Sequence, residues 1–448
     1  MSKNYIPATP KEQEEMLKAI GFNSLDELFS DIPAQVKMTR PLNLPAPLDE
    51  ISLSKTLQDL SNKNTNLEEC ICFLGAGAYD HYVPSVVKHL ISRSEFYTAY
   101  TPYQAEISQG TLQAIFEYQT LICQLTGQEV SNASMYDGAT AVTEAALMAI
   151  DTVKKQEILV SATVHPEYRE VLKTYAKALK IKITEIGFQD GVTDLEELEA
   201  KVTGETAGVI IQSPNFFGCL EDIRAVEKIV HSTKALLITC VDPLSLGILE
   251  SPGTLGADIV VGEGQSLGNS LSFGGPYLGF LACSEKLKRR LPGRVVGQTV
   301  DREGRRGFVL TLQSREQHIR RAKATSNICS NQALNALAAT IYLSYLGQDG
   351  LRKIGELCLQ KSHYLARKLE KLPGYSLAFK APFFKEFVVQ CPKEPERLNK
   401  GLLAEKIIGG YSLQKTYPNL SQGWLLAVTE KRSKTEMDYF VERLGGIK

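Results

Sequence analysis

From about residue 70 to residue 300 the chain alternates short apolar runs with amphipathic segments, and this alternation limits its fold more than any other feature. Glu157–Ser161, Ile181–Ile186, Val209-Ile210-Ile211 and Ala235–Val241 read as strands, and the last is a continuous run, apolar but for Thr239. A strand covered by helices on both faces needs such a run, and that is the habit of parallel sheets. Between the strands, His165–Lys180 sets Tyr168, Val171, Leu172, Tyr175 and Leu179 near helical spacing, and Asp194–Val202 reads as a helix. The expectation is an α/β chain with a doubly wound, mostly parallel sheet that takes its ligands at the carboxyl ends of the strands.

The remainder divides around that sheet. Residues 1–69 are expected to hold helices and an extended arm. Thr9, Pro10 and Glu12 spell a capped helix start, Gly21 stops it, and Ser24 with Glu27 repeats the signature. Residues 33–60, with Pro33, Pro41, Pro45 and Pro47, predict an extended segment that wraps a neighbour. The large domain is expected over residues 70–325 and a small α+β domain over 326–448. In the latter Asn331–Leu346 predicts a bridging helix, Phe383–Cys391 and Trp424–Thr429 strands, and Leu398–Ile408 and Lys434–Leu444 helices.

Composition narrows the partners. The 448 residues carry 50 basic and 51 acidic side chains, a balance that argues against nucleic acid or an anionic membrane as the main partner. The nine cysteines follow no regular spacing, as expected of reduced, buried thiols in a cytoplasmic protein. Cys70-Ile71-Cys72 lacks the spacer of a zinc or redox motif and reads as a strand, so no metal is expected. The N-terminus has no apolar signal region and no run approaches roughly 18 apolar residues, which predicts a soluble, unexported chain.

One loop carries most of the chemical information. Gly256–Tyr277 runs from the strand Ile259-Val260-Val261 through glycines and serines to Gly274-Gly275-Pro276. In an α/β chain of this length, that pattern is where a pyridoxal-phosphate enzyme keeps the lysine that binds its cofactor. Here Ala235–Glu285 contains no lysine.

Other candidates each admit two readings. Asp137-Gly138-Ala139-Thr140-Ala141, ahead of the apolar helix Val142–Ile150, is either a phosphate cradle at a helix start or an ordinary Asp-Gly turn. Asp242, after the strand ending at Val241, either holds a pyridine nitrogen protonated or caps a turn with Pro243. His165 either stacks on a cofactor ring or simply begins a helix. Tyr97, Tyr100 and Tyr103, close to Glu106, suit a pocket mouth or interface as well as plain packing. Arg315, His318, Arg320, Arg321 and Lys323 form either a solvated basic face or a surface for an anion or partner.

Together, phosphate turn, stacking position, ring-nitrogen aspartate and glycine loop follow the chain order of a fold-type I pyridoxal-phosphate enzyme, with the lysine missing. On YTAYTPYQAEISQG (97–110), DGATAVTEA (137–145), FGGPYLGF (273–280), PGRVVGQ (292–298) and LQSREQHIRRAKATSNIC (312–329), the chain resembles subunit 1, the α subunit, of two-chain glycine decarboxylases, the P-proteins of the glycine cleavage system. The resemblance implies an α2β2 assembly in which a homologous β subunit carries pyridoxal 5'-phosphate and this chain carries none covalently. It implies glycine as substrate and transfer of an aminomethyl group to the lipoyl arm of the H-protein. Counting back from Gly274-Gly275-Pro276 puts Gln265 at the lysine position, and an amide is not a nucleophilic amine. Asp137, Thr140, His165, Asp242 and Gln265 would then be a vestigial pocket. Tyr97, Tyr100, Tyr103 and Glu106 would serve the shared α–β site. An isolated chain would be expected to form a homodimer. The rival expectations are a free-standing pyridoxal-phosphate enzyme, which the missing lysine opposes, and a purely structural or regulatory partner.

Overall fold

The computed structural model describes residues 7–38, 40–97 and 100–447, which fall into two compact units, Met1–Thr65 and Asn66–Lys448. In the first unit, α1 (Pro10–Ala19) opens on the predicted capping box, with Thr9 and Glu12 each satisfying the other's backbone N–H. Ser24 caps a short 3-10 turn, Leu25–Phe29. The extended arm predicted through residue 60 ends earlier, because Glu50–Ser61 forms α2. The prolines stop at Pro47, and the Asp49 carboxylate accepts the Ser52 N–H at 2.9 Å, a cap that starts a helix where nothing further prevents one.

The second unit is built on a seven-stranded sheet. It contains α3 (Gln109–Thr126), β1 (Val130–Ser131), α4 (Gly138–Val153), β2 (Glu157–Ser161), α5 (Pro166–Leu179), β3 (Lys182–Ile186), β4 (Thr206–Gln212), β5 (Leu236–Val241), β6 (Ile259–Glu263) and β7 (Gly279–Cys283). The strand order is β1-β7-β6-β5-β4-β2-β3. Neighbours from β6 to β3 are parallel, while β7 runs against both β6 and β1. The predicted doubly wound, mostly parallel sheet is therefore present.

Side-chain alternation along β4 shows why both faces are covered. Val209 and Ile211 pack with Tyr118 and Ile122 of α3. Ile210 packs on the other side with Ala145 and Met148 of α4 and with Leu172 of α5, and Ala207 joins it because the pairing with β2 shifts register by one residue there. Each large apolar side chain buried this way stabilises the fold by roughly 1.5–3 kcal/mol.

A long helix, α6 (Ala333–Leu369), leads to the C-terminal part and is broken at Gly347, where φ is 60° and ψ −173°. There β8 (Ser376–Leu377), β9 (Glu386–Gln390), β10 (Tyr411–Ser412) and β11 (Gly423–Ala427) form an antiparallel sheet in the order β8-β9-β11-β10. The helices α7 (Pro395–Ala404) and α8 (Lys434–Gly446) pack on it, around Trp424 and Phe440. The helix predicted to reach Ile408 stops at Ala404. Lys406 turns into the left-handed region at φ 57°, and Ile407–Ile408 pairs in parallel with Ile71–Cys72.

Candidate active site

The carboxyl ends of β4, β5 and β6 meet the segment 75–82 and the start of β9; His165, Asp242 and Gln265 line this junction, and the turn at Asp137 joins it through Glu263. Asp137 is the N-cap of α4: its carboxylate accepts the Thr140 N–H at 2.8 Å, and the Thr140 hydroxyl returns to Asp137. The Gly138 N–H, the natural donor to a bound phosphate, instead donates to Glu263 at 3.0 Å. Glu263 also accepts N–H groups from Leu278 at 2.9 Å and Gln265 at 3.1 Å. Burial pushes its pKa up to about 7, against the pull of the Leu278 and Gly138 N–H groups.

Asp242 is occupied as well. One carboxylate oxygen accepts the Leu244 N–H at 3.0 Å, and the other lies 2.6 Å from the ammonium of Lys385. Lys385 is buried just ahead of β9. Its Nζ also lies 2.9 Å from His81 Nε2 and 3.5 Å from the centre of the Tyr79 ring. An ammonium only donates, so His81 Nε2 accepts and its Nδ1–H donates to Glu430 at 2.6 Å. Cys358, His81 and Glu430 stand close enough to suggest metal ligands, but both ring nitrogens of His81 are already taken.

Gln265, which the count from Gly274-Gly275-Pro276 assigned to the lysine position, is buried. Its Oε1 accepts the Tyr79 N–H at 2.9 Å, and its Nε2 donates to the carbonyls of Tyr79 and Asn269 at 3.1 and 2.7 Å. The amide thus pairs with backbone as a strand neighbour would. His165 caps α5, stacks on Tyr168 with ring centres 4.5 Å apart, and points Nε2–H at the Ala76 carbonyl at 2.8 Å. Burial pushes its pKa down. A Cβ on Gly77, where φ is +111°, would lie 2.7 Å from His165 Nε2, so the 76–77 backbone crowds the Nε2 edge of the ring that was expected to stack on a cofactor, while Tyr168 lies on its face.

The space left among these groups is about 30 Å³, room for about a single water. Cofactor-sized ligands occupy pockets of roughly 300–1,000 Å³. Phosphate point, ring face and ring-nitrogen point are all taken by protein groups, so pyridoxal phosphate does not fit this pocket.

The remaining candidates lie elsewhere. Tyr97, Tyr100 and Glu106 are exposed, Tyr100 at 96%. Tyr103 is largely buried: its hydroxyl donates to Asn331 at 3.0 Å and the Arg294 guanidinium lies 5.4 Å from its ring centre. Arg294 pairs with Glu316, and His318 Nδ1 lies 3.6 Å from the same carboxylate, so the tyrosine segment and the basic segment are neighbours. Arg315 is not part of an exposed basic surface. It is buried and donates to the Leu291 carbonyl, because the chain turns inward after Leu312, where φ is 53°. Arg320, Arg321 and Lys323 are exposed, and among the described residues no carboxylate pairs with any of them.

The model for the glycine cleavage system P-protein family matches residues 3–444. This chain belongs to that family. A probable glycine dehydrogenase (decarboxylating) subunit 1 from Desulforamulus reducens is 56% identical over 443 residues, 99% of each protein. The crystal structure of an inhibitor-bound glycine decarboxylase (P-protein) superposes with a TM-score of 0.92 at 43% identity, covering 99% of this chain and 100% of that one. A C-DES mutant with glycine covalently linked to its PLP cofactor shares the fold alone, at 15% identity and a TM-score of 0.63 over 85% of this chain and 98% of that one. The P-protein chain thus has the fold-type I architecture of pyridoxal-phosphate enzymes.

Sequence reasoning missed the groups that fill the pocket of this P-protein chain. Glu263 follows the apolar run of β6 directly, and Lys385-Glu386 interrupts the run Phe383–Val389. Charged residues at such places need buried partners, which was the available signal. Tyr79, His81 and Glu430 left no comparable trace.

Proposed function

We propose that this chain is the α subunit of a two-chain glycine decarboxylase, working with a homologous β subunit that carries pyridoxal 5'-phosphate. The observation that carries this reading is the combination of end-to-end P-protein similarity with a cofactor pocket closed by protein groups. A chain that retains the enzyme's architecture without room for the cofactor is suited to complete a site on another chain. That also opposes the free-standing enzyme.

In this reading the assembly is α2β2, the substrate is glycine, and the aminomethyl group leaves on the lipoyl arm of the H-protein, in the cytoplasm. Tyr97, Tyr100, Tyr103 and Glu106 form a wall of the shared site. His318, Arg320, Arg321 and Lys323 form its anion- or partner-binding rim, with Arg294 as the link between the two segments. The apolar exposure of the N-terminal unit supports an assembled state: Met16, Ile20, Phe29, Val36, Leu44 and Ile51 are all exposed. No described helix is long and apolar enough to cross a membrane.

Co-expression with the β chain, followed by a glycine–bicarbonate exchange assay, tests the reading. Exchange is expected from the pair and not from either chain alone. Full exchange by the β chain without this one would reduce the chain to a scaffold. The isolated chain is expected to run as a homodimer in light scattering, since two homologous chains present similar faces.

A further inference from the structure

We infer that the two points at which this fold would anchor pyridoxal phosphate are held by the chain's own charged groups, Glu263 in place of the phosphate and Lys385 in place of the ring nitrogen, making the pocket a permanently filled joint between the large sheet and the C-terminal sheet.

The substitution is like for like at both points. The start of α4 offers free N–H groups and the positive end of a helix dipole, which favour any buried anion. Glu263 supplies a carboxylate there and accepts N–H groups from Gly138, Gln265 and Leu278. At Asp242, a protonated ring nitrogen would be a cationic donor. Lys385 supplies a cationic donor at 2.6 Å. Lys385 is matched by the Asp242 carboxylate, Glu263 is held by three backbone N–H groups at the helix end, and the space among these groups is about 30 Å³.

The same contacts tie separate parts of the chain together. Lys385 and Glu386 stand side by side at the start of β9, an inner strand of the C-terminal sheet. Lys385 reaches Asp242 beyond β5, while Glu386 accepts the Ala76 N–H at 2.8 Å and the Tyr79 hydroxyl at 2.7 Å. Gln265 grips Tyr79 from the large-sheet side. Asp80 binds Lys431 at 2.7 Å and Arg432 at 3.0 Å, just beyond β11. The segment 76–81 is therefore clamped from both sides. A cofactor entering this pocket would have to displace Glu263 and Lys385 and open the clamp.

The test uses the isolated chain, with inorganic phosphate and pyridoxal phosphate as probes and thermal melting as readout. Because no β chain or activity is involved, its failure and the failure of the functional reading are separate events. For the wild type, neither probe at about 10 mM should raise the melting temperature by more than about 1 °C over a chloride control, since a ligand stabilises only a state that binds it. Glu263→Ser frees the Gly138 N–H and should gain a phosphate-dependent rise of several degrees. A wild-type shift with either probe, or a folded Glu263→Ser protein indifferent to phosphate, overturns the proposal. Should that variant not fold, amide exchange of the wild type decides: the Gly138 amide is expected to be protected equally with and without phosphate. Free exchange there, or protection appearing only with phosphate, overturns it. For the second point, Lys385→Met should lower the melting temperature and adding Asp242→Asn should restore much of the loss. A single variant that melts like the wild type overturns the joint.

Discussion

The pocket at the carboxyl ends of β4–β6 and the face carrying Tyr97, Tyr100, Glu106 and residues 317–323 were both singled out by sequence, and they have opposite physical characters. In the pocket, Asp242, Glu263, Gln265 and His165 each have a close protein partner. On the outer face Tyr97, Tyr100, Glu106, Arg320, Arg321 and Lys323 stand exposed. A pocket whose polar groups are satisfied by protein partners is what stability requires. Aromatic and cationic side chains left in water contribute little to the isolated fold, which fits the assembled role proposed for them. Within one chain, the residues that look catalytic by position are held by structural contacts, while the exposed ones are those to which the proposed function gives a partner role.

The sharpest way to break this comparison is to uncouple the pocket. Lys385→Met leaves Asp242 buried beside no counter-charge, and removing one member of a buried pair costs roughly 3–5 kcal/mol. Urea denaturation should show a loss of that order, mostly recovered in Lys385→Met/Asp242→Asn. If the single change costs under about 1 kcal/mol, the pocket is solvated and the contrast with the outer face disappears.

The next largest effect is on pH dependence. Burial raises Glu263, Glu386 and Glu144 to about 7 from an ordinary carboxyl value. Between about pH 4.5 and 7 the folded chain therefore holds protons that the unfolded chain has released, and stability falls as pH rises through that window. One such group contributes up to about 1.4 kcal/mol per pH unit. His165 works the other way, because burial lowers its pKa and stability tied to its neutral form is lost as pH falls below about 6.5. Glu386→Gln should flatten the slope of stability against pH between 5 and 7. An unchanged slope would mean that this carboxylate is wetter than its surroundings indicate.

On the outer face the expected effect is on activity. Tyr100→Phe and Arg320→Ala should leave stability within about 0.5 kcal/mol, as exposed substitutions usually do. Exchange by the α–β pair should fall tenfold or more, about 1.4 kcal/mol of transition-state stabilisation. Wild-type exchange from both assembled variants would make these residues ordinary surface.

How much of this was legible in sequence depended on the range of the interactions. Local patterns read well: the capping box at Thr9, the strand Glu157–Ser161 and the helix after His165 rest on residues within a few positions of one another. Gln265 could be located because the glycine loop marks its own register. The groups that fill the pocket could not be placed, because Lys385 reaches Asp242, and Glu430 reaches His81, from remote parts of the chain. The arm at residues 33–60 misled for the opposite reason: its prolines extend the chain locally, and their influence ended before Asp49. Arg315 looked like its basic neighbours, and only the turn at Leu312 sends it inward.

The smallest predicted effect separates the two readings of the Asp137–Ala141 turn. If the turn now serves only as a helix cap, Thr140 acts through its own backbone neighbours, donating to Asp137 and accepting the Asp137 N–H at 3.1 Å. Thr140→Val then removes that hydroxyl from one capping box and should cost about 1 kcal/mol, the usual worth of an N-cap interaction. The loss should be the same in phosphate and chloride buffers, because Glu263 already takes the Gly138 N–H. In a working phosphate cradle the same hydroxyl would bind the anion, and the loss would grow in phosphate. Denaturation of Thr140→Val in the two buffers distinguishes these outcomes. A difference above about 0.5 kcal/mol, beyond ordinary surface scatter, would show that the turn still binds anions and that the pocket has kept more of its cofactor chemistry than its filled interior implies.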